Sequence, residues 1–190
     1  MKIRTTLLAL AFAAFGGSFA FAAEPASAPA IVTATGTQTT PAADNVWKTF
    51  FPDGLLNAKG EKVDVNVLNN KIVGIYFSAF WCPSCREFSP ELVKFRNANK
   101  DSFEVVFASA DKSEEEQFKY MAEAKMEWLT IKFQSPTIEA LPTKFDLGDL
   151  LPLPTLVIVS SKGDTISKKG IADVTDSPTT CLEKWKKAVK

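Results

Sequence analysis

The sequence predicts an α/β domain in which a central mixed β-sheet is flanked by helices on both faces. Three observations carry that reading. Ile72-Val73-Gly74-Ile75-Tyr76-Phe77 and Phe103-Glu104-Val105-Val106-Phe107-Ala108 are near-continuous apolar runs, the pattern of strands covered on both sides. Stretches with helical periodicity lie between and after them. A third apolar run, Thr155 to Val159, leads through a Ser161-Lys162-Gly163 turn into another strand, which makes a terminal hairpin.

The first 45 residues read as separate from that domain. Lys2 and Arg4 precede a largely apolar run from Leu7 to Phe21, and Ala20-Phe21-Ala22 supplies small residues at a cleavage site. Residues 1–22 are therefore read as a signal peptide cut after Ala22. The apolar run is short for a membrane span, which needs ~20 residues, so no stable membrane insertion is expected after cleavage. Removal of Lys2 and Arg4 leaves 20 positive against 22 negative side chains. Export to a periplasm puts the cysteines where disulfides persist. Residues 23–45, rich in Ala, Pro, Thr and Ser, lack apolar periodicity and read as a flexible linker. The folded domain is then 46–190.

Within it, Lys59-Gly60 separates short segments holding Leu55, Leu56, Val63 and Val65, a hairpin signal. Pro83 suits the first turn of a helix, because its missing N–H has no partner there anyway. That helix runs to about Asn99, with Phe88, Leu92, Phe95 and the Arg96 stem inward. Ser113 followed by Glu116 is a capping box opening a helix that ends near Ala124. Trp128 to Phe133 reads as a short strand and Pro136 to Phe145 as a helix. Ser177-Pro178 opens a last helix with Leu182, Trp185 and Val189 inward. Cys181 shares that inward stripe with Trp185 and Ala188 and reads as a buried structural thiol.

Composition narrows the function. The chain of 190 residues has zero formal net charge and no basic block, which argues against nucleic acid or an anionic membrane surface as a partner. Histidine is absent, which removes Cys–His and Ser–His catalysis and most transition-metal sites.

The chemistry lies in Phe80-Trp81-Cys82-Pro83-Ser84-Cys85-Arg86, at the junction between a buried strand and a helix. Two cysteines three apart there form a thiol–disulfide exchange signature, which needs no cofactor beyond the protein's own sulfurs. Cys82 should cap the helix, accepting from the N–H of Ser84 or Cys85, with the helix dipole favouring a thiolate. Helix-terminal cysteines of this kind titrate at ~3.5–7.5 instead of ~8.5. Cys85 lies one turn on, facing inward. The loop between the two sulfurs is too small for the disulfide to serve stability. A zinc site is short of ligands, with Cys181 the one other thiol.

Around the pair, Trp81 reads as an apolar wall and Phe80 as a rim aromatic. Arg86 and Glu87 read as solvated helix charges. Leu-Pro-Thr occurs twice, at 141–143 and 153–155, and only the second enters an apolar strand. Tyr76 and Asp111 end near the same sheet edge. Core packing is the reading for Tyr76 and helix initiation for Asp111, so neither joins the catalytic set.

These residues resemble the thioredoxin superfamily, and within it the nucleoredoxin and tryparedoxin-like branch. The resemblance rests on Tyr76-Phe77-Ser78-Ala79, Trp81-Cys82-Pro83-Ser84-Cys85-Arg86 and Phe88-Ser89-Pro90-Glu91-Leu92. Ser109 to Glu115 and Leu153-Pro154-Thr155-Leu156-Val157 extend it, over approximately residues 50 to 188. It implies a thioredoxin fold and a disulfide oxidoreductase in which Cys82 attacks and Cys85 resolves. Pro154 would be a cis-proline facing them, and Trp81, Pro83, Leu153 and Pro154 would contact substrate, the Leu153 backbone pairing with a peptide by strand addition. It also implies the reducing direction, protein or small-molecule disulfides as substrates, and a dithiol protein or membrane-borne carrier as electron donor. Two positions depart from the pattern. Tyr76 stands where thioredoxins proper carry a buried aspartate six residues before the first cysteine, and Ser84 stands where this branch more often has a second proline. An oxidant that inserts disulfides and a non-catalytic peptide-binding module remain as alternatives.

Overall fold

The computed structural model describes residues 45–148 and 150–189. The signal peptide and nearly all of the linker read from the sequence lie outside the described residues.

The chain opens with helix α1 (Val46–Phe50), strands β1 (Leu55–Leu56) and β2 (Lys62–Val63), and a 3-10 turn at Val65–Leu68. Strand β3 (Ile72–Ser78), helix α2 (Pro83–Asn99) and strand β4 (Phe103–Ser109) form the centre. Helix α3 (Glu114–Glu123), strand β5 (Leu129–Thr130) and helix α4 (Pro136–Lys144) follow. The chain ends with β6 (Thr155–Val159), β7 (Thr165–Ser167), α5 (Gly170–Asp176) and α6 (Cys181–Ala188).

The strands make one sheet in the order β2-β1-β5-β4-β3-β6-β7. Strand β3 lies at its heart, parallel to β4 and antiparallel to β6. The apolar runs are buried on both faces because successive side chains point to opposite sides. Ile72 and Tyr76 of β3, Phe103, Val105 and Phe107 of β4, and Leu156 and Ile158 of β6 share one core with α2, α3, α5 and α6. Val73, Ile75, Phe77, Val106, Val157 and Val159 point the other way, onto α1, the 3-10 turn and α4. This is the mixed, doubly covered sheet that the sequence predicts.

Several boundaries differ from expectation. Val65 leaves the hairpin because Asp64 accepts the Asn66 N–H at 2.8 Å and starts the 3-10 turn. The segment from Trp128 to Phe133 keeps only two strand residues. Beyond them, the buried Gln117 amide donates to the Ile131 carbonyl at 3.0 Å, taking the place of a ladder partner. The last helix starts at Cys181, not Ser177-Pro178, because Ser177 to Thr180 form a turn whose Ser177 carbonyl accepts from Thr180 and Cys181. Ala188 is exposed and Val189 half-buried, so the inward stripe is Cys181, Leu182 and Trp185. Helix α5 has no counterpart in the sequence reading. It sits flush on β6, where a Cβ on Gly170 would come within 2.6 Å of the Leu156 carbonyl oxygen.

Candidate active site

Strand β3 delivers the cysteine motif. After Ser78 the chain turns through Ala79 to Cys82, closed by the Cys82 N–H donating to the Ala79 carbonyl at 3.2 Å. Helix α2 then begins at Pro83, as expected from proline's preference for the first turn. Cys82 is its N-cap, and its Sγ accepts the Cys85 N–H at 3.3 Å, with the Ser84 hydroxyl at 3.5 Å. Cys82 and Cys85 are disulfide-bonded, with Cα atoms 5.2 Å apart. Both cysteines are buried, Cys82 at 5% exposure and Cys85 at 0%, so Cys82 is the residue of the pair nearer the surface.

The neighbouring strand brings the second Leu-Pro-Thr to the same edge. Antiparallel pairing sets Thr155 opposite Phe77, so Leu153 and Pro154 lie beside the end of β3. The Leu153–Pro154 peptide is cis. The first Leu-Pro-Thr lies inside α4, with Leu141 buried, and takes no part. Leu153 is half-buried between the two cores, and Pro83 is exposed. Trp81 is 53% exposed, and its indole N–H donates to the Ala110 carbonyl at 3.1 Å. Phe80 is half-buried against Tyr120, with Lys119 Nζ 5.0 Å and the Arg86 guanidinium 5.8 Å from its ring centre.

Beneath the motif lies a buried hydroxyl cluster. Ser89 donates to the Cys85 carbonyl at 2.9 Å and lies 2.9 Å from the Tyr76 hydroxyl and 2.7 Å from that of Tyr120. Tyr120 in turn lies 3.2 Å from Ser78. Burial, and next the neighbouring Tyr120, push the Tyr76 phenol above its ordinary pKa. It therefore stays protonated and acts as a hydrogen-bonding group. Ser78 and Ser89 lie within the segments that carry the resemblance, but neither they nor Tyr120 is given a role from the sequence. Ser89 also falls on the inward face of α2 beside Cys85, Phe88 and Leu92.

Asp111 corrects an expectation. It does not start α3, because Ser113 is the N-cap, accepting from the Glu116 N–H at 3.1 Å. Its buried carboxylate instead accepts the Phe80 N–H at 2.7 Å and the Ser109 hydroxyl at 2.7 Å. Burial, offset by the Ser109 and Phe80 hydrogen bonds and reinforced by Glu116, raises its pKa. Cys181 is a buried free thiol, and burial likewise raises its pKa. Among the described residues there is no cluster of three or more His, Cys, Asp or Glu able to hold a metal ion. No described helix is long and apolar enough to cross a membrane.

The family model described as Thioredoxin-like matches residues 69–165, which include both cysteines and Pro154. The chain belongs to the thioredoxin-like family. Within it, the chain is similar to nucleoredoxin from Danio rerio, 33% identical over 69% of this chain and 31% of the relative. It is also similar to tryparedoxin from Trypanosoma brucei brucei, 34% identical over 69% of this chain and 90% of the relative. The chain thus spans about a third or less of the nucleoredoxins it matches, but nearly a whole tryparedoxin. Among solved structures, a tryparedoxin II complexed with glutathionylspermidine matches with a TM-score of 0.63 at 35% identity, covering 70% of this chain and 93% of that one. A thioredoxin from Wuchereria bancrofti matches with a TM-score of 0.59 at 38% identity, covering 70% and 94%. These homologues are thiol–disulfide oxidoreductases, and this thioredoxin-like chain keeps a cysteine pair at disulfide distance.

Proposed function

We propose that the protein is an exported thiol–disulfide oxidoreductase that reduces protein or small-molecule disulfides in the periplasm. The observation that carries this reading is the seat of the Cys82 sulfur. It lies at the N-cap of a 17-residue helix, holds the Cys85 N–H at 3.3 Å and is joined to a second, fully buried sulfur. A thiolate there keeps that amide donor and meets the positive end of the helix dipole.

In the reducing direction the Cys82 thiolate attacks one sulfur of a substrate disulfide, releasing the other as a thiolate. Cys85, after losing its proton to that leaving thiolate or to solvent, attacks Cys82 Sγ in the mixed disulfide. The second substrate sulfur departs, and the Cys82–Cys85 bond carries the two electrons' worth of oxidation. The backbone at Leu153, beside Pro154, offers peptide groups to an extended substrate, and Trp81 and Pro83 form the exposed rim. A dithiol protein or membrane-borne carrier regenerates the pair. A related tryparedoxin II has been solved with glutathionylspermidine, which supports a small-molecule thiol or disulfide as one class of partner here. Periplasmic placement is supported by the signal-like residues 1–22. An exported protein whose intact mass begins at Ala23 is the expected result, and one still beginning at Met1 contradicts cleavage.

Trapping tests the chemistry. Cys85→Ser in the full chain, exposed to oxidised glutathione, is expected to hold a glutathione adduct on Cys82 by mass spectrometry, while Cys82→Ser holds none on Cys85. Adducts on Cys85 alone reverse the two roles. No adduct on either variant refutes exchange at this pair.

A further inference from the structure

We propose that Asp111 is a positioning residue for the disulfide site, its carboxylate and the adjoining Ala110 carbonyl clamping the turn that presents Cys82. The proposal rests on the reading of Cys82–Cys85 as the exchange site.

Three hydrogen bonds join the end of β4 to the chain leaving β3. The Ala110 N–H donates to the Ser78 carbonyl at 2.9 Å, the Phe80 N–H to Asp111 Oδ1 at 2.7 Å, and the Trp81 indole N–H to the Ala110 carbonyl at 3.1 Å. The last two grip consecutive residues of the turn that ends in Cys82. Neither bond belongs to the sheet, and without them the turn is held by its own Cys82-to-Ala79 closure, by Phe80 packing on Tyr120 and by the helix that follows.

The carboxylate is itself held in place. Ser109 donates its hydroxyl to Asp111 Oδ2 at 2.7 Å and accepts the Asp111 N–H at 3.0 Å. With Asp111 only 8% exposed, both oxygens face protein donors. Charge-assisted bonds of this length are short and stiff, suited to fixing a backbone amide. Burial, partly offset by those hydrogen bonds, raises the carboxyl pKa. Aimed at the residue two before the attacking sulfur, the carboxylate is placed to hold geometry. Displacement of a reacting group by about 1 Å costs on the order of 100-fold in rate, so such a clamp has something to protect.

The test compares Asp111→Ala, Asp111→Asn and Ser109→Ala in the full chain. Two readouts are used: the rate constant of the reduced protein with oxidised glutathione, and solvent exchange of the Trp81 indole N–H by NMR, assigned with Trp81→Phe. Asp111→Ala is expected to slow the reaction about 10-fold and to speed indole exchange about 10-fold as the clamp opens. Asn keeps an acceptor for Phe80 and recovers most of both losses. Ser109→Ala moves both readouts in the same direction by less, and decides the matter if Asp111→Ala does not fold. Wild-type reaction rate and indole protection in Asp111→Ala, or in Ser109→Ala where it substitutes, overturn the proposal. So does an Asn variant as slow as Ala with its indole still protected, which assigns Asp111 a charge or proton role instead. If the wild type itself fails to react with oxidised glutathione, the exchange reading fails, while indole exchange still reports whether the clamp exists.

Discussion

Tyr76 occupies the strand position where thioredoxins proper place an aspartate, and fills it with a neutral hydroxyl bonded to Ser89 and the Cys85 carbonyl. Tyr76→Phe keeps the ring and removes those bonds. Ser89 stays satisfied by Tyr120 and the Cys85 carbonyl, so the cost is expected to be about 1 kcal/mol in urea unfolding. A loss well above 3 kcal/mol would mean that the cluster acts as one unit. Cys181 gives a second test at this scale. Buried at 1% exposure and with its pKa raised by burial, it should resist iodoacetamide in the native oxidised protein at pH 8 and react after denaturation. Rapid native labelling contradicts the buried assignment. The cap at Cys82 was legible in the sequence because its partners lie within three residues. The cluster under it was not, because Tyr76, Ser89 and Tyr120 meet only after strand and helices pack, 13 and 31 residues apart. Asp111 escaped for the same reason. Its nearest sequence signal, Ser113 with Glu116, belongs to a cap that it does not make.

Long elements were legible and short ones were not, for a physical reason. Strands β3, β4 and β6 announce themselves through apolar runs, and α2 through a stripe repeated over 17 residues. Helix α5, Gly-Ile-Ala-Asp-Val-Thr-Asp, has too few turns to repeat a pattern and opens on a glycine, a poor helix former. Packing creates it: Gly170 lets the helix approach the Leu156 carbonyl. Gly170→Ala is therefore expected to destabilise by about 1–3 kcal/mol despite alanine's better helix propensity, as read by denaturant midpoint. A stabilised variant would show that α5 has room to shift. Between α2 and β4, Arg96 grips the buried Glu104 carboxylate through two 2.8 Å bonds. The sequence marked only the Arg96 stem as inward, because Glu104 looks like an interruption in an apolar strand. Arg96→Met should cost about 3 kcal/mol by leaving that carboxylate buried without its partner, and Glu104→Gln added to it should recover much of the loss.

For the whole molecule, the sheet places the two cysteines, Trp81 and Pro154 at one edge, though they are drawn from two separate segments, the β3–α2 junction and the approach to β6. The two loops nearest the motif carried sequence signals that pointed there. The link from the loop after β4 did not, since it runs through a backbone amide and an indole that no spacing rule connects. The central claim is that Cys82 and Cys85 interconvert between dithiol and disulfide in the folded protein. Equilibration of the full chain across a series of glutathione redox buffers, with the state of the pair read by mass spectrometry after acid quenching, tests it directly. The account predicts one two-electron transition at Cys82–Cys85 with the fold retained, with a midpoint in the neighbourhood of ~−270 mV, as for a thioredoxin-type reductant. A pair that stays bonded across the whole series, or opens only as the protein unfolds, would contradict it.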